Sequence, residues 1–317
     1  MSLLLTRSDL RPLIDDLPQL EGVFSRVEEA VLQQDRGEGG HATFLPTNLS
    51  ERQKLACYVT SRPSGAAVRI WPDVGSAQFP PESHLMLLLD GQDGRLLALL
   101  SGDDLNLLRT SVPVGVGAKY LAQPGAEIYA LIGSGEQAQG HVRVVAHGVP
   151  GLKQIRIYSR TLANRERFAK EWNEKLPVEV IAVDSAEVAV READIISNAA
   201  IGGGSLFEPA WVKPGALITT MAGSPVQGLA FRTIVPAGQR PTPIWPRFHP
   251  AGEESPLARH DATLAQIMQG QAPARVSDDQ IVFYTVAAPW SWDAPIMQWA
   301  YEWAQAHGAG SEINLSH

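Results

Sequence analysis

The segment that most constrains the fold of this chain runs from residue 128 to residue 141. An apolar stretch, Ile128–Ile132, leads directly into Gly133-Ser134-Gly135-Glu136-Gln137-Ala138, and a helical pattern follows. The first glycine permits a tight turn, the second lets phosphates approach the backbone, and the small Ala138 lets helix and strand pack closely. The N–H groups at the start of the helix would then face the phosphates. We predict a dinucleotide site formed by these six residues; the alternative is an ordinary strand–turn–helix junction with two turn glycines.

The next predicted strand, Gln154–Tyr158, indicates which dinucleotide is bound. An NAD site usually has Asp or Glu at the end of this strand, where the carboxylate binds the ribose 2′-hydroxyl. This chain has Ser159, Arg160 and Thr161 there instead. A guanidinium and two hydroxyls can bind a 2′-phosphate, and no carboxylate repels it. We therefore predict that NADP(H) is preferred and that NAD(H) remains possible; the alternative for Arg160 is a solvated surface charge.

Strand and helix patterns alternate through the middle of the chain. After the first two strands, strand-like runs recur at 178–183, 194–199 and 216–221. Such alternation is typical of a doubly wound parallel sheet. We therefore predict that residues 119–285 form an α/β domain of the Rossmann type.

Residues 1–118 show an α+β pattern instead. Apolar residues at helical spacing predict a helix over Leu20–Leu32, and a helix-forming tail begins near residue 286. Four short apolar runs predict strands, at Leu55–Val59, Ala66–Trp71, His84–Asp90 and Leu96–Leu100. The last two of these runs are joined by Gly91-Gln92-Asp93-Gly94, which predicts a hairpin turn.

Composition argues against several classes of function. The chain has 317 residues, 44% of them hydrophobic, which is enough for two domains with cores of their own. Its single cysteine, Cys57, excludes an internal disulfide, and the histidines show no ligand spacing, so no metal is expected. A net charge of −8 argues against nucleic acid and anionic membranes as partners. No apolar run has membrane-spanning length and no signal peptide is recognisable, so we expect a cytoplasmic protein.

Several pieces of the sequence, in this order and spacing, resemble the ornithine cyclodeaminase/mu-crystallin family of NAD(P)-dependent oxidoreductases. The pieces are LLALLSGDDLNLLRTS (96–111), IGSGEQAQGH (132–141), RIYSRTLANRERFA (156–169), ADIISNAA (193–200) and WVKPGALITTMAGS (211–224). The resemblance implies that the Rossmann domain is inserted into an α+β domain, made of residues 1–118 and 286–317, that forms a homodimer and binds substrate. It also implies hydride exchange between nicotinamide and a small imine or amino acid. Its later pieces add Asn198, Ala199, Met221 and Ala222 to the predicted cofactor-binding residues.

The family's substrate-binding residues are only partly present. Arg109 matches the arginine that binds the substrate carboxylate, and a bidentate guanidinium–carboxylate contact would orient an imino acid; the alternative for Arg109 is a helix-cap or interdomain ion pair. A second family arginine is replaced near Thr47, the family lysine by Ala66, and the cyclodeaminase aspartate by Ser224. Arg69 lies three residues beyond Ala66, so on a strand it points to the other face and is a poor substitute.

These losses favour reduction of a ready-made imine over cyclodeamination. Cyclodeamination needs a base to remove a proton from the amine, whereas an imine that arrives protonated requires mainly position and charge stabilisation. We therefore predict an imine reductase, or a dehydrogenase that catalyses the reverse reaction on the amine. A cyclodeaminase and a non-catalytic NADPH-dependent ligand-binding protein remain alternatives.

Four residues are candidates to replace the missing acid or base. With Arg109, we predict Glu82 and Tyr284 as catalytic, and we also consider His84 and Asp293. Each has a structural alternative: a surface carboxylate for Glu82, a core tyrosine for Tyr284, a satisfied core histidine for His84 and a helix N-cap for Asp293. His141, in the helix after the glycine turn, is interpreted as structural.

Overall fold

The computed structural model describes residues 2–38, 41–48, 54–73, 84–200, 207–220, 228–237, 260–286 and 292–314. For Pro18 and for residues 41–48, 54–56 and 71–73 it describes the backbone alone. The chain divides into two compact units, one of residues 1–109 and 289–317 and the other of residues 110–288.

Elements of the first unit occupy both ends of the chain. From the N-terminus they are β1 (Ser2–Leu5), α1 (Arg7–Asp15), α2 (Leu20–Asp35), β2 (His41–Asn48), β3 (Lys54–Arg62), β4 (Gly65–Asp73), β5 (Leu85–Asp90), β6 (Leu96–Ser101) and α3 (Gly102–Leu121). The division between the units falls inside α3, after Arg109, whereas the predicted boundary at residue 118 lies further along the same helix.

The second unit and the C-terminal part of the first follow. These elements are β7 (Ile128–Ile132), α4 (Glu136–Gly148), β8 (Gln154–Tyr158), α5 (Leu162–Lys175), β9 (Glu179–Ala182), α6 (Ala186–Val190), β10 (Ile195–Asn198), β11 (Leu217–Thr220), β12 (Arg232–Val235), β13 (Ala262–Thr263), α7 (Leu264–Met268), β14 (Val282–Thr285), α8 (Asp293–His307) and β15 (Ser311–Ile313). Two 3-10 turns, Leu17–Gln19 and Pro209–Trp211, complete the described elements. In the part of the chain that is described, no helix is long and apolar enough to cross a membrane.

The first unit is built on a seven-stranded sheet in the order β15-β1-β6-β5-β4-β3-β2. Strand β1 runs parallel to β6, and the other pairs are antiparallel. Helix α8 packs across β3 to β6 and against α2. The predicted helix over Leu20–Leu32, the four predicted strands and the hairpin turn are confirmed. The structure adds β1, β2 and β15, which were not predicted.

Residues of this sheet alternate between two faces, as expected for pleated strands. On the face that packs against helices, Tyr58, Ala67, Met86 and Leu100 are fully buried. The opposite face carries an apolar row in register across five strands, and every member of the row is half-buried: Leu4, Leu99, Leu87, Val68 and Val59. One face of the sheet is therefore covered within the chain and the other is an apolar surface.

The second unit is an eight-stranded, wholly parallel sheet in the order β13-β12-β14-β11-β10-β7-β8-β9. From β7 the chain proceeds outward through β8 to β9, and then returns to the other side of β7 to form β10 and β11. The strand order reverses at β7, which makes its carboxyl end the topological switch point. The central strands are buried on both faces, which is why they are near-continuous apolar runs. The predicted doubly wound parallel sheet is confirmed.

Candidate functional site

The turn that follows β7 requires glycine at its first position. Gly133 has a φ of +112°, and its N–H donates to the carbonyl of Tyr158 at 2.8 Å. A Cβ atom at Gly133 would lie 2.9 Å from the carbonyl carbon of Ala199, closer than real Cβ atoms come to backbone. Both the left-handed backbone and the contact with the end of β10 therefore exclude a side chain.

Gly135 has an open surrounding instead. It is the N-cap of α4, with φ −84° and ψ −169°, and a Cβ placed there would meet no atom of the described residues within 4 Å. As a glycine, Gly135 has no side chain with which to cap α4, and the N–H groups of the first turn point out of this end of the helix. Since the protein itself does not need a glycine here, the open space fits a phosphate approaching the backbone at the positive end of the helix.

The remaining residues of the turn anchor α4. Ala138 is fully buried, whereas Glu136 is exposed in the first turn of the helix. The Oε1 atom of Gln137 accepts a hydrogen bond from the Thr110 hydroxyl at 2.7 Å. Gln137 thus ties the first turn of α4 to the part of α3 that belongs to the second unit.

The residues after β8 lie beside this turn. The hydroxyls of Ser159 and Ser134 form a hydrogen bond of 2.9 Å, which joins the two strand ends. Arg160 and Thr161 are exposed, and Arg160 forms no ion pair with any described residue. Thr161 is the N-cap of α5 but makes no side-chain capping bond. A guanidinium and a hydroxyl are therefore exposed at the carboxyl end of β8.

Arg165 fixes the backbone of this strand end. Its Nη1 donates to the Ser159 carbonyl at 3.0 Å, and its Nη2 lies 3.2 Å from the Asp184 carboxylate. The guanidinium also lies over the Tyr158 ring. Arg165 was not among the predicted site residues, although a charged residue at helical spacing from Phe168, Ala169 and Trp172 is a sign of a buried, partnered charge.

The carboxyl end of β10 supplies two more of the predicted cofactor-binding residues. Ala199 donates its N–H to the Ile132 carbonyl at 2.8 Å, and Asn198 Oδ1 accepts from the Ala200 N–H at 3.2 Å. Both residues lie next to the end of β7 because β10 is its parallel neighbour. Met221 and Ala222 lie outside the described residues.

A second polar cluster lies in the first unit around Asp293. The Asp293 Oδ1 atom lies 2.8 Å from Arg109 Nε, and its Oδ2 atom lies 3.1 Å from Arg69 Nε. These are ionic contacts, since neither satisfies the angular geometry of a hydrogen bond. Arg69 also donates to Asn106 Oδ1 at 3.2 Å. The side chains of Asp293, Arg69 and Arg109 are 1%, 3% and 11% exposed.

This cluster corrects one prediction and extends another. Asp293 is not the N-cap of α8, because Trp292 holds that position and Asp293 lies in the first turn with its carboxylate facing the two arginines. Arg69 and Ala66 lie on opposite faces of β4, as alternation predicts. The structure nevertheless brings Arg69 to Arg109 through their shared carboxylate. The alternation of side chains along a strand shows which face a residue such as Arg69 lies on. It does not show which residue from elsewhere in the chain contacts it there.

His84 lies in the same unit, at the start of β5. Its Nδ1 is 3.3 Å from Asp103 Oδ1, and the side chain is buried. Burial lowers the pKa of His84 below its ordinary value, and the positive charge of Arg69 lowers it further. The neutral ring with a carboxylate neighbour matches the core-histidine alternative.

Tyr284 has a structural environment in the second unit. It is fully buried in β14, and its hydroxyl donates to the Pro113 carbonyl at 3.2 Å. Its ring fills the space above Gly117, where a Cβ would lie 2.1 Å from a ring carbon. Burial raises the pKa of the Tyr284 phenol above its ordinary value. These contacts match the core-tyrosine alternative, and we do not assign Tyr284 a catalytic role below.

Other predicted positions have less structural description. Glu82 and Ser224 lie outside the described residues, and only the backbone of Thr47 is described, in β2. Ala66 is half-buried in β4. No group of three or more His, Cys, Asp or Glu side chains suited to a metal ion occurs among the described residues.

His141 in α4 leads to a prediction about pH. It is fully buried, neither ring nitrogen has a hydrogen-bond partner among the described residues, and burial lowers its pKa to about 4. As the pH falls, His141 of the unfolded chain therefore takes up a proton near pH 6.5, whereas His141 of the folded chain takes it up only near pH 4. The free energy of unfolding should fall by about 2 kcal/mol between pH 7.5 and pH 5 from this group alone.

The measurement is urea unfolding at the two pH values for the wild type and for His141→Met. Methionine fills a similar volume without a titrating group, so the difference between the two pH values should shrink by about 2 kcal/mol in the variant. An unchanged pH dependence in His141→Met would show that His141 is not the source.

Comparison with known proteins places this chain among relatives. Residues 20–289 match the model of the ornithine cyclodeaminase/mu-crystallin family. The ketimine reductase mu-crystallin of Rattus norvegicus is 30% identical over 145 residues, which cover 46% of this chain and 45% of that protein. The match thus spans less than half the length of that relative. A Delta(1)-pyrroline-2-carboxylate reductase of Bacillus cereus is 28% identical over 249 residues, covering 73% of this chain and 74% of that protein.

Solved structures share the fold over the whole chain. The Delta(1)-pyrroline-2-carboxylate reductase of Thermococcus litoralis, in complex with NADH and L-proline, superposes with a TM-score of 0.81 at 24% identity, covering 98% of this chain and 100% of that chain. An archaeal alanine dehydrogenase dimer with bound NAD superposes with a TM-score of 0.80 at 18% identity, covering 99% of both chains. From the family match over residues 20–289, this chain belongs to the ornithine cyclodeaminase/mu-crystallin family.

Proposed function

We propose that this chain is an NAD(P)H-dependent reductase of a small imine that carries a carboxylate, or a dehydrogenase of the matching amine. The observation that carries the proposal is the turn between β7 and α4 at the switch point of the sheet. It combines the open space at Gly135 with the first turn of α4, whose N-cap residue has no side chain. Curated relatives named as ketimine and pyrroline-2-carboxylate reductases support the reaction class.

The residues of the turn fit a dinucleotide. The N–H groups at the start of α4 would bind the pyrophosphate, and Ser159, Arg160 and Thr161 would bind the adenosine ribose. Bound cofactor would supply a hydride to the imine carbon. Arg109 would hold the substrate carboxylate, and so orient the C=N bond for that transfer.

The substitutions of family residues favour reduction over cyclodeamination. Ser224 and Ala66 replace the aspartate and lysine that the family resemblance associates with these positions. A cyclic imine that is protonated in solution already carries the proton its nitrogen needs, so reduction requires orientation more than a strong acid.

The direct test is turnover of Delta(1)-pyrroline-2-carboxylate with NADPH. Turnover is measured as the loss of absorbance at the band of the reduced nicotinamide. Oxidation of NADPH that depends on the imine would support a reductase. Tight NADPH binding without turnover of this or other cyclic and acyclic imines would favour a non-catalytic ligand-binding protein. Failure to bind either nucleotide would contradict the proposal at its base.

We propose further that NADP(H) is preferred because Arg160 is exposed at the end of β8 without an ionic partner among the described residues. Arg160→Ala should weaken NADPH binding by roughly 10- to 100-fold, the worth of one or two charge-assisted hydrogen bonds. NADH binding should change little, because NADH lacks the 2′-phosphate.

Fluorescence titration of both nucleotides measures this preference. The matched control is Arg167→Ala, which removes an exposed arginine from the same helix region. Equal losses for NADPH and NADH in Arg160→Ala would assign Arg160 a role other than 2′-phosphate binding.

We also propose that the chain forms a homodimer through the half-buried apolar row of the first unit. An apolar sheet face of this kind is typical of a subunit interface. Light scattering should give twice the mass of the 34.3 kDa chain. Leu85→Glu, at a residue of that face that is 44% exposed, should reduce the mass to that of one chain, whereas Val188→Glu, at an exposed valine in α6, should not. A monomeric wild type at micromolar concentration would contradict this proposal.

A further inference from the structure

The two arginines on either side of Asp293 differ in how much of each is exposed. Asp293 is almost completely buried, Arg69 is nearly so, and Arg109 alone retains a modest exposed fraction. All three side chains belong to the first unit, on β4, α3 and α8. Arg109 is therefore the member of the cluster that an incoming ligand can contact, and Arg69 and Asp293 lie behind it.

The contacts use one edge of each guanidinium. Asp293 contacts Nε of Arg109 at 2.8 Å and Nε of Arg69 at 3.1 Å. The other end of the Arg109 guanidinium carries its pair of terminal Nη atoms. That pair is the edge with which a guanidinium binds a carboxylate end-on through two parallel hydrogen bonds. The contact of Asp293 with Arg109 is thus recorded at Nε, away from the end of the guanidinium that such a ligand would use.

Because Arg69 and Arg109 share the Asp293 carboxylate, the positive charge of Arg109 is neutralised only in part. A carboxylate paired with one guanidinium would neutralise it, but the Asp293 charge is divided between Arg109 and Arg69. Burial and, next, the positive charge of Arg109 lower the pKa of Arg69, so the two guanidiniums act on each other electrostatically. An anion bound at the Arg109 terminus relieves this repulsion in a setting where water screens it poorly.

We infer that Asp293 and Arg69 are positioning residues that orient Arg109 and keep its charge incompletely compensated, so that it binds the carboxylate of the substrate. This inference rests on the proposed function. It assigns Arg69 a role in specificity without direct contact with substrate. Arg69 supplies the second positive charge by way of Asp293, from the face of β4 opposite Ala66.

The test compares two imines that differ only in the carboxylate, Delta(1)-pyrroline-2-carboxylate and Delta(1)-pyrroline, with NADPH as reductant. In Arg69→Met, Asp293 pairs with Arg109 alone, so KM for the carboxylate substrate should rise about tenfold while kcat changes little. KM for Delta(1)-pyrroline should stay within about twofold, since that substrate has no carboxylate to bind. Arg69→Lys restores the charge and should recover most of the lost affinity.

Asp293→Asn provides a second variant with a different signature. This variant keeps both positive charges but removes the ionic contact that orients Arg109. For the carboxylate substrate, kcat should therefore fall and KM should rise. Thermal unfolding of each variant, with NADPH affinity as the readout for an intact second unit, shows whether the variants fold. Equal changes for the two imines, or no change in Arg69→Met, would overturn the inference.

Equilibrium binding separates this inference from the proposed function. Calorimetric titration with L-proline and with pyrrolidine, in the absence of nucleotide, requires no turnover. Suppose that no imine is reduced, but that Arg69→Met weakens the binding of L-proline and leaves the binding of pyrrolidine unchanged. The reductase proposal then fails, and the role of the cluster in carboxylate binding stands. If imines are reduced and Arg69→Met leaves both ligands unaffected, the reductase stands and the role of Arg69 is refuted.

Discussion

Replacing Arg109 with methionine should lower kcat/KM for a carboxylate-bearing imine by about 100- to 1,000-fold, the equivalent of about 3–4 kcal/mol for two hydrogen bonds to a charged group. We expect kcat to fall and KM to rise, because in the proposed function the guanidinium would both hold the substrate and orient its C=N bond. Asp293 keeps Arg69 as its partner in this variant, so the buried carboxylate is not left without a counter-charge.

Arg109→Lys is the matched control for this experiment. Lysine keeps the positive charge but lacks the planar fork, and it cannot contact Asp293 and a substrate carboxylate with the same geometry. We therefore expect an intermediate loss in kcat/KM, with Delta(1)-pyrroline much less affected in either variant. NADPH affinity should remain at the wild-type value in both. A fully active Arg109→Met would refute the assigned role and leave Arg109 as an ion-pair residue.

The two glycines of the β7–α4 turn should respond in opposite ways to alanine. Gly133→Ala should destabilise the protein by about 2 kcal/mol or more, because the backbone is left-handed and the new Cβ would overlap the end of β10. Gly135→Ala should leave the free energy of unfolding within about 0.5 kcal/mol of wild type, because φ is negative and the space is open.

For nucleotide binding, in contrast to stability, we expect the substitution at Gly135 to have a large effect. A methyl group at Gly135 would occupy the path by which a pyrophosphate reaches the first turn of α4, so NADPH affinity should fall by about 100-fold. Urea unfolding and fluorescence titration on the same two variants give both quantities. If Gly135→Ala binds NADPH as well as the wild type does, the phosphates do not lie at this turn, and the two glycines are turn residues only.

Sequence patterns reveal most of the second unit, because its signals are local. Strands β7 to β11 are apolar runs buried on both faces, and the switch point follows from the glycine turn that ends β7. The first unit is less predictable. Strand β1 has four residues, and it is a strand because it pairs with β6 and β15, which lie far along the chain. No short window of sequence contains that information.

The cluster around Asp293 shows the same limit at the level of side chains. Arg109 was predicted from the family resemblance, and the alternation of β4 indicates only that Arg69 is on the face opposite Ala66. What makes Arg69 relevant is a carboxylate from α8, at the other end of the chain. Asp293 itself looks like a capping residue in sequence, since acidic residues are common at helix starts. Only the fold distinguishes a cap from an ionic partner.

The division of the first unit between both ends of the chain has a consequence for synthesis. The second unit lies in one continuous stretch, so all of its strands emerge from the ribosome before α8 does. Arg69 and Arg109 emerge before the second unit, whereas Asp293 and the edge strand β15 follow it. Because domains fold as units once their residues are available, the second unit can form first. The cluster around Asp293 is then completed only after the whole second unit has been synthesised, and a chain truncated before α8 would carry two buried arginines without their shared counter-charge.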